Sequence, residues 1–142
     1  MQSKTKVCEM LRDKGQRITP QKSAILDILI SHPGHMLSVS DICARLPEGS
    51  GIDNATVYRN MRGFLDTGLV ESMIDMKGHG RYMICDCEHH HHFICNACGR
   101  IINFPCNDHF WSGIAGCEGF LETGHKIEVY GLCAGCQNRK SE

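Results

Sequence analysis

The stretch CEHHHHFICNACG, residues 87–99, sets four consecutive histidines directly before a Cys-x-x-Cys pair. A second pair of the same spacing follows at Cys133 and Cys136. A two-residue gap puts both thiolates of a pair on one turn, about 2.3 Å from a shared ion, and two such turns complete a tetrahedral four-sulfur zinc site. Cys95, Cys98, Cys133 and Cys136 are therefore expected to hold one Zn2+. Such a site has no open position, so its role is structural. A thioredoxin-like redox pair is the rival. It is disfavoured because the pair recurs and no βαβ pattern precedes either copy.

The histidines extend the same chemistry. If residues 89–94 are extended, alternate side chains face opposite ways. His90 and His92 then point to one side, and His89 and His91 to the other, so one tract can feed two metal sites. The first combines His90 and His92 with Glu71 and Cys85, and Cys87 stands as a rival to Cys85. A nitrogen, sulfur and carboxylate set favours zinc over a harder ion. The second combines His89, His91 and His125 with a further ligand in the segment 103–109. The plain alternative is a loop of solvated histidines; a purification tag does not fit a short internal run.

Composition sets the compartment for this chemistry. The chain has 142 residues, ten cysteines and nine histidines, with a formal net charge of −1. No apolar run reaches the roughly 18 residues of a membrane span, and MQSKTKVCEMLRDKG has no secretory hydrophobic region. A cytoplasmic protein is expected, with reduced thiols available for metal. Residues 1–25 carry six basic side chains (Lys4, Lys6, Arg12, Lys14, Arg17, Lys22) against two acidic ones, while residues 83–142 carry four against seven. That asymmetry points the N-terminal part toward an anionic partner.

The elements that position these residues follow from pattern. Residues 3–14 form a first helix with Val7, Met10 and Leu11 inward. Thr19 caps a second, with Pro20 at its first position and Pro33-Gly34 at its end. Ser38 and Asp41 match a capping box at the start of a third, with Leu37 and Ile42 placed as a staple. The fourth runs through NATVYRNMRGFLD. There Val57, Met61, Phe64 and Leu65 share one face, and Ala55, Tyr58, Arg59 and Arg62 the other. Two short strands, LVESMI and RYMIC, flank the glycine-bearing loop DMKGHG. Helices followed by a two-stranded wing outline a winged helix-turn-helix, in which the helix before the wing enters the DNA major groove. Beyond residue 84 the chain reads as a small α+β module. HFICNACGRIINF is strand, turn and strand; DHFWSGIAGCEGFL is a helix; KIEVYGLC is a strand.

The segments RITPQK, NATVYRNMRGFLDTGLV, HHHHFICNACGRIINF and GHKIEVYGLCAGC, in this order, resemble the ferric uptake regulator family of metal-sensing bacterial repressors, with the zinc uptake regulators as the nearest branch. The resemblance implies an α+β protein: a winged helix-turn-helix over 1–83 and a small α/β dimerisation domain over 84–142. It implies a homodimer that represses transcription by binding palindromic operator DNA when its regulatory zinc site is filled. The alternative within the family is an iron (Fe2+) or peroxide-responsive repressor. By position, Thr56, Tyr58, Arg59 and Arg62 belong to the reading helix, Arg17 approaches the minor groove, and Lys22 stands where arginine is common. Iron-sensing members have a histidine where this chain has Met36, one place after His35. Cys85 and Glu71 match ligands of zinc-sensing members. Asn103 stands where several members carry a carboxylate, and the family's helix glutamate falls at Phe110, leaving Cys106, Asp108 or His109 as substitutes. A metallo-hydrolase would need an open metal and a general base, and no H-E-x-x-H motif exists. A metal-storage protein would use the same ligands without a helix patterned for DNA.

Overall fold

The computed structural model describes residues 3–85, 88–107 and 117–140. Helix α1 (Lys4–Asp13) buries Val7, Cys8 and Leu11. Helix α2 (Pro20–Ile30) starts where the Thr19 side chain accepts from Lys22 N–H, with Pro20 in a first turn that has no intrahelical N–H bond to lose. Helix α3 (Val39–Arg45) opens on the expected reciprocal box. Ser38 Oγ accepts from Asp41 N–H, and the Asp41 carboxylate accepts from Ser38 N–H. Helix α4 (Asn54–Asp66) is capped by Asp53, which accepts from Thr56 N–H at 2.9 Å. Val7, Leu11, Ile25, Leu26, Leu29, Ile42, Val57, Met61 and Phe64 meet in one core. Burying each large apolar side chain stabilises by about 1.5–3 kcal/mol.

The wing is an antiparallel pair, β2 (Val70–Ile74) and β3 (Gly80–Ile84), with Glu71 opposite Met83. In the second module, β4 (His90–Cys95) pairs antiparallel with β5 (Ile101–Pro105) and parallel with β6 (Glu128–Gly131). Helix α5 (Ala134–Lys140) closes the described chain. A further short strand, β1 (His35–Ser38), lies between α2 and α3. It pairs with β3 through Leu37 and Ser38, and with β5 through His35 and Met36. The outcome is one six-stranded sheet, ordered β2-β3-β1-β5-β4-β6, that runs across both modules. Met36, Met83, Ile94 and Ile101 form a small buried cluster at the junction.

Two elements depart from the sequence reading. β1 is too short to show alternation, and its partners are remote in the chain. Helix α5 grows out of the second cysteine turn, where only a turn was expected. The helix expected over 108–121 lies mostly outside the described residues, as do Cys87, Asp108 and His109; Cys117–Gly119 form one 3-10 turn. Among the described residues no helix is long and apolar enough to cross a membrane.

Candidate metal centres and nucleic-acid interface

The four paired cysteines converge. Cys95, Cys98, Cys133 and Cys136 place their sulfurs within 4.8 Å of one another, and Cys98 Sγ lies 3.8 Å from Cys133 Sγ. A tetrahedron with bonds of about 2.3 Å has edges of about 3.8 Å, so the spacing fits a zinc ion. The first pair sits on the turn between β4 and β5, and the second on the approach to α5. Burial alone would push the Cys95 thiol up. The N–H groups of Cys133, Cys98 and Ala97 outweigh it and bring the thiol down to about 6. Hydrogen bonding to Cys133, with burial, pushes Cys136 up to about 12. A metal-free cluster thus shares protons among its sulfurs, whereas a cation needs all four as thiolates.

At the edge of the wing, Glu71, His90 and His92 form a second convergent group, again within 4.8 Å. His90 Nδ1–H donates to Glu88 O at 2.9 Å, so Nε2 faces Glu71 Oε1 at 2.7 Å with its lone pair. Two acceptors at that distance require a proton or a cation between them. His92 is buried, and neither of its ring nitrogens has a hydrogen-bond partner. Its Nε2 lies 3.6 Å from Glu71 Oε1. Burial would raise the Glu71 pKa, but the facing imidazoles of His92 and His90 hold it below the usual carboxylate range. The donor set fits a divalent ion. Cys85 does not join this group. Its N–H donates to Leu69 O at 2.8 Å, which sets it two positions along the ladder from the Glu71–Met83 pair. Diagonal neighbours across a sheet lie roughly 7–8 Å apart, within reach of long side chains, so Cys85 stands beside this group on the Glu71 face.

The opposite face of the histidine tract gathers His89, His91, Cys106 and His125. The expected alternation of strand β4 is therefore realised, with two groups on two faces. Of the substitutes considered for the missing carboxylate, Cys106 is the one brought in among the described residues. Asn103 instead meets β1: its N–H donates to Gly34 O at 2.8 Å. Burial, then the neighbouring rings of His89 and His125, lower the His91 pKa and keep it neutral.

Helix α4 presents Tyr58, Arg59 and Arg62 to solvent, with Tyr58 54% exposed. Thr56 is half-buried and Arg17 is exposed in the loop before α2. Lys22 is occupied within the chain: its Nζ donates to Gln16 Oε1 at 2.8 Å and to Arg17 O at 3.1 Å, holding the loop that carries Arg17.

The family model described as "Ferric uptake regulator family" matches residues 13–130. The chain belongs to the ferric uptake regulator family. Members are transcription regulators, not enzymes. The chain is 36% identical over 131 residues to a peroxide-responsive repressor of Staphylococcus saprophyticus, covering 91% of this chain and 88% of that protein. It is 35% identical over 137 residues to the peroxide operon regulator of Bacillus subtilis, covering 94% and 92%. Among solved structures, a zinc-bound manganese uptake regulator aligns with a TM-score of 0.79 at 28% identity, covering 89% of this chain and 98% of that one. The Vibrio cholerae ferric uptake regulator aligns with a TM-score of 0.70 at 28% identity, over the same shares.

In this family member one connection escaped the sequence reading. Asp75, in the wing turn, is buried and accepts from Lys77 N–H, His79 N–H and Arg81 Nε. Arg81 also donates to Asp41 Oδ2 at 3.2 Å and to Cys98 O at 3.4 Å. One guanidinium thus ties the wing turn, the cap of α3 and the first cysteine turn. The only sequence signal was an aspartate and an arginine bracketing a glycine loop, a pattern common to many hairpins.

Proposed function

We propose that this regulator is a homodimeric, metal-dependent transcriptional repressor that binds palindromic operator DNA when the Glu71–His90–His92 centre is filled. The observation that carries the reading is the position of those donors. Glu71 belongs to wing strand β2 and the histidines to β4 of the second module. A bound divalent ion supplies the positive charge that lets a carboxylate and two imidazole lone pairs converge. Glu71 then holds the wing, and Glu88 O fixes the His90 ring through Nδ1–H. The second module, residues 84–142 in our division, pairs two copies. A two-fold dimer must present its reading helices about one DNA turn, roughly 34 Å, apart. Without the centre, fewer molecules hold that geometry and apparent DNA affinity falls by the competent fraction. Tyr58, Arg59 and Arg62 reach base edges and phosphates, Thr56 supports the same helix, and Arg17 enters the minor groove. The four cysteines hold a structural Zn2+. The compartment is the cytoplasm.

Zinc is our assignment for the regulatory ion, with Cys85 drawn in from its diagonal position as a further ligand. A second reading has its own support. Two imidazoles and one carboxylate are the donor set of open non-haem Fe(II) centres, and the relatives named above are peroxide-responsive regulators. DNA-binding titrations of metal-stripped protein with zinc and with iron separate the two. Operator affinity that rises with zinc supports the first reading. Affinity that rises only with iron, with an oxygen atom gained on His90 or His92 after peroxide, supports the second. Equal affinity with and without every metal removes the sensor reading altogether.

A further inference from the structure

Helix α3 meets the first cysteine turn across a cavity of about 460 Å3 whose arginines and histidines belong to none of the metal groups. Arg45 on α3, Arg81 on β3 and Arg100 at the start of β5 line it, with His32 and His35. Asp41 is the carboxylate in that lining, and Arg81 Nη1–H and Ser38 N–H already donate to its Oδ2. Arg45 and Arg100 form no ion pair among the described residues; each is held by an imidazole instead. His32 Nδ1–H donates to Ile28 O at 2.8 Å, which leaves Nε2 to accept from Arg45 Nε at 3.2 Å. Arg45 Nη1 also donates to Asp41 O at 2.9 Å. Arg100 Nη2 donates to His35 Nδ1 at 3.3 Å. Burial, then Arg100 and His32, lower the His35 pKa and keep that ring neutral, so its Nε2–H is a further donor. A neutral imidazole orients a guanidinium without cancelling its charge. Two oriented, uncompensated cations therefore share one cavity.

We propose that this cavity binds a small dianion, a phosphate monoester or a dicarboxylate, bridged between Arg45 and Arg100. The planar guanidinium fork matches either oxyanion with paired N–H···O bonds, and a fork already oriented loses less freedom on binding. A cleft lined by one sign of charge concentrates the opposite ion, and the volume suits a metabolite-sized ligand. Arg45 belongs to α3 of the winged helix, and Arg100 to the turn that carries Cys98. The anion thus ties one module to the other, beside the His35–Ile102 register of β1 and β5. On the repressor reading above, that tie favours the same placement of the reading helix as a filled wing centre. The binding itself does not depend on that reading.

The test uses full-length protein with its zinc in place, titrated calorimetrically at constant ionic strength with glycerol phosphate and, separately, with succinate. The expected result is saturable binding of at least one probe, and the tighter probe names the class of anion. Affinity should fall at least tenfold in Arg45→Ala and in Arg100→Ala, and stay unchanged in Arg12→Ala, an exposed arginine on α1. Arg100→Lys, which keeps the charge but not the fork, should bind at intermediate strength. Zinc content and thermal unfolding equal to wild type without anion show that each variant is folded. Binding of neither probe, or a loss in Arg12→Ala equal to that in Arg100→Ala, overturns the proposal. So does competition between probe and operator DNA together with weaker operator binding by Arg45→Ala and Arg100→Ala, which assigns the cavity to DNA phosphates. Failure of the repressor reading would appear instead as operator binding indifferent to metal, with anion affinity intact.

Discussion

Arg81 donates through Nε to the buried Asp75 carboxylate at 2.8 Å. The wing turn is therefore organised around an ion pair, and the same guanidinium carries that order to Asp41 at the cap of α3 and to Cys98 beside the four sulfurs. The cap of α3, the wing and the cysteine turn share one positively charged node.

Asp75→Asn should destabilise the protein by about 3 kcal/mol, the low end for removing one partner of a buried pair, because Asp41 still faces Arg81. The change also has a pH signature. Burial would raise the Asp75 pKa, but Arg81 and the N–H groups of His79 and Lys77 hold it below the ordinary range. A carboxylate depressed in the folded state contributes fully above its unfolded value of about 3.9, and that contribution fades as pH falls through the folded value. Chemical denaturation from about pH 5 down to about pH 3 should therefore give a flatter stability profile in the variant than in wild type.

Gly99→Ala should cost about 2 kcal/mol or more, since a left-handed backbone penalises any Cβ by roughly 1–2 kcal/mol. Gly99 has φ +79°, and a Cβ there would stand 2.8 Å from Asp75 Oδ2. Thermal unfolding measures the loss. Adding Asp75→Asn should not double it, because both changes disturb one contact.

Cys136→Ser should remove one equivalent of zinc from purified protein and abolish cooperative unfolding of the second module. Structural zinc commonly contributes on the order of 10 kcal/mol of apparent binding energy to such folds. Metal analysis combined with calorimetry decides it: full zinc content and an unchanged melt would count against the structural site.

Glu71→Gln should weaken metal binding at the wing centre by about tenfold or more, by analogy with the loss seen for residues that support metal ligands. The metal concentration that half-saturates operator binding should rise in step, while the zinc of the four-cysteine site stays in place. Isothermal titration beside a gel-shift series checks both.

Arg59→Ala should reduce operator affinity by about 1–3 kcal/mol with metal binding unchanged. Arg59 is exposed on the outer face of α4, away from the buried Val57, Met61 and Phe64. Fluorescence anisotropy at several salt concentrations tells phosphate from base contact, since loss of a phosphate contact lowers the salt slope by about one unit.

What was legible in the sequence was local. Thr19, Pro20 and the Ser38–Asp41 box announced their helix starts because capping is decided within four residues. The split of the four histidines followed from strand alternation alone, and the cysteine pairs from their spacing. What was hidden depended on partners far along the chain. β1 pairs with segments of both modules, and Arg81 is defined by Asp75, Asp41 and Cys98 together. Cys85 was assigned by adjacency to the wing, and ladder register sets it opposite Leu69, diagonal to Glu71 on the same face. Cys106 was one of several substitutes until the fold brought it to His125.

The strand β1 has a mechanical consequence. Its pairing toward β5 runs through only two residues, His35 and Met36, with Asn103 N–H to Gly34 O beside them. Any swing of the reading heads that carries β1 away from the second module must tear this short seam, because β5 is the next strand of the sheet. The seam is brief enough to part without unfolding either side and specific enough to close again in the same register. Glu71 bound to His90 across the gap would act as a second stitch beside it, so the repressor's rest position is built into the backbone and the ion decides how firmly it is sewn shut.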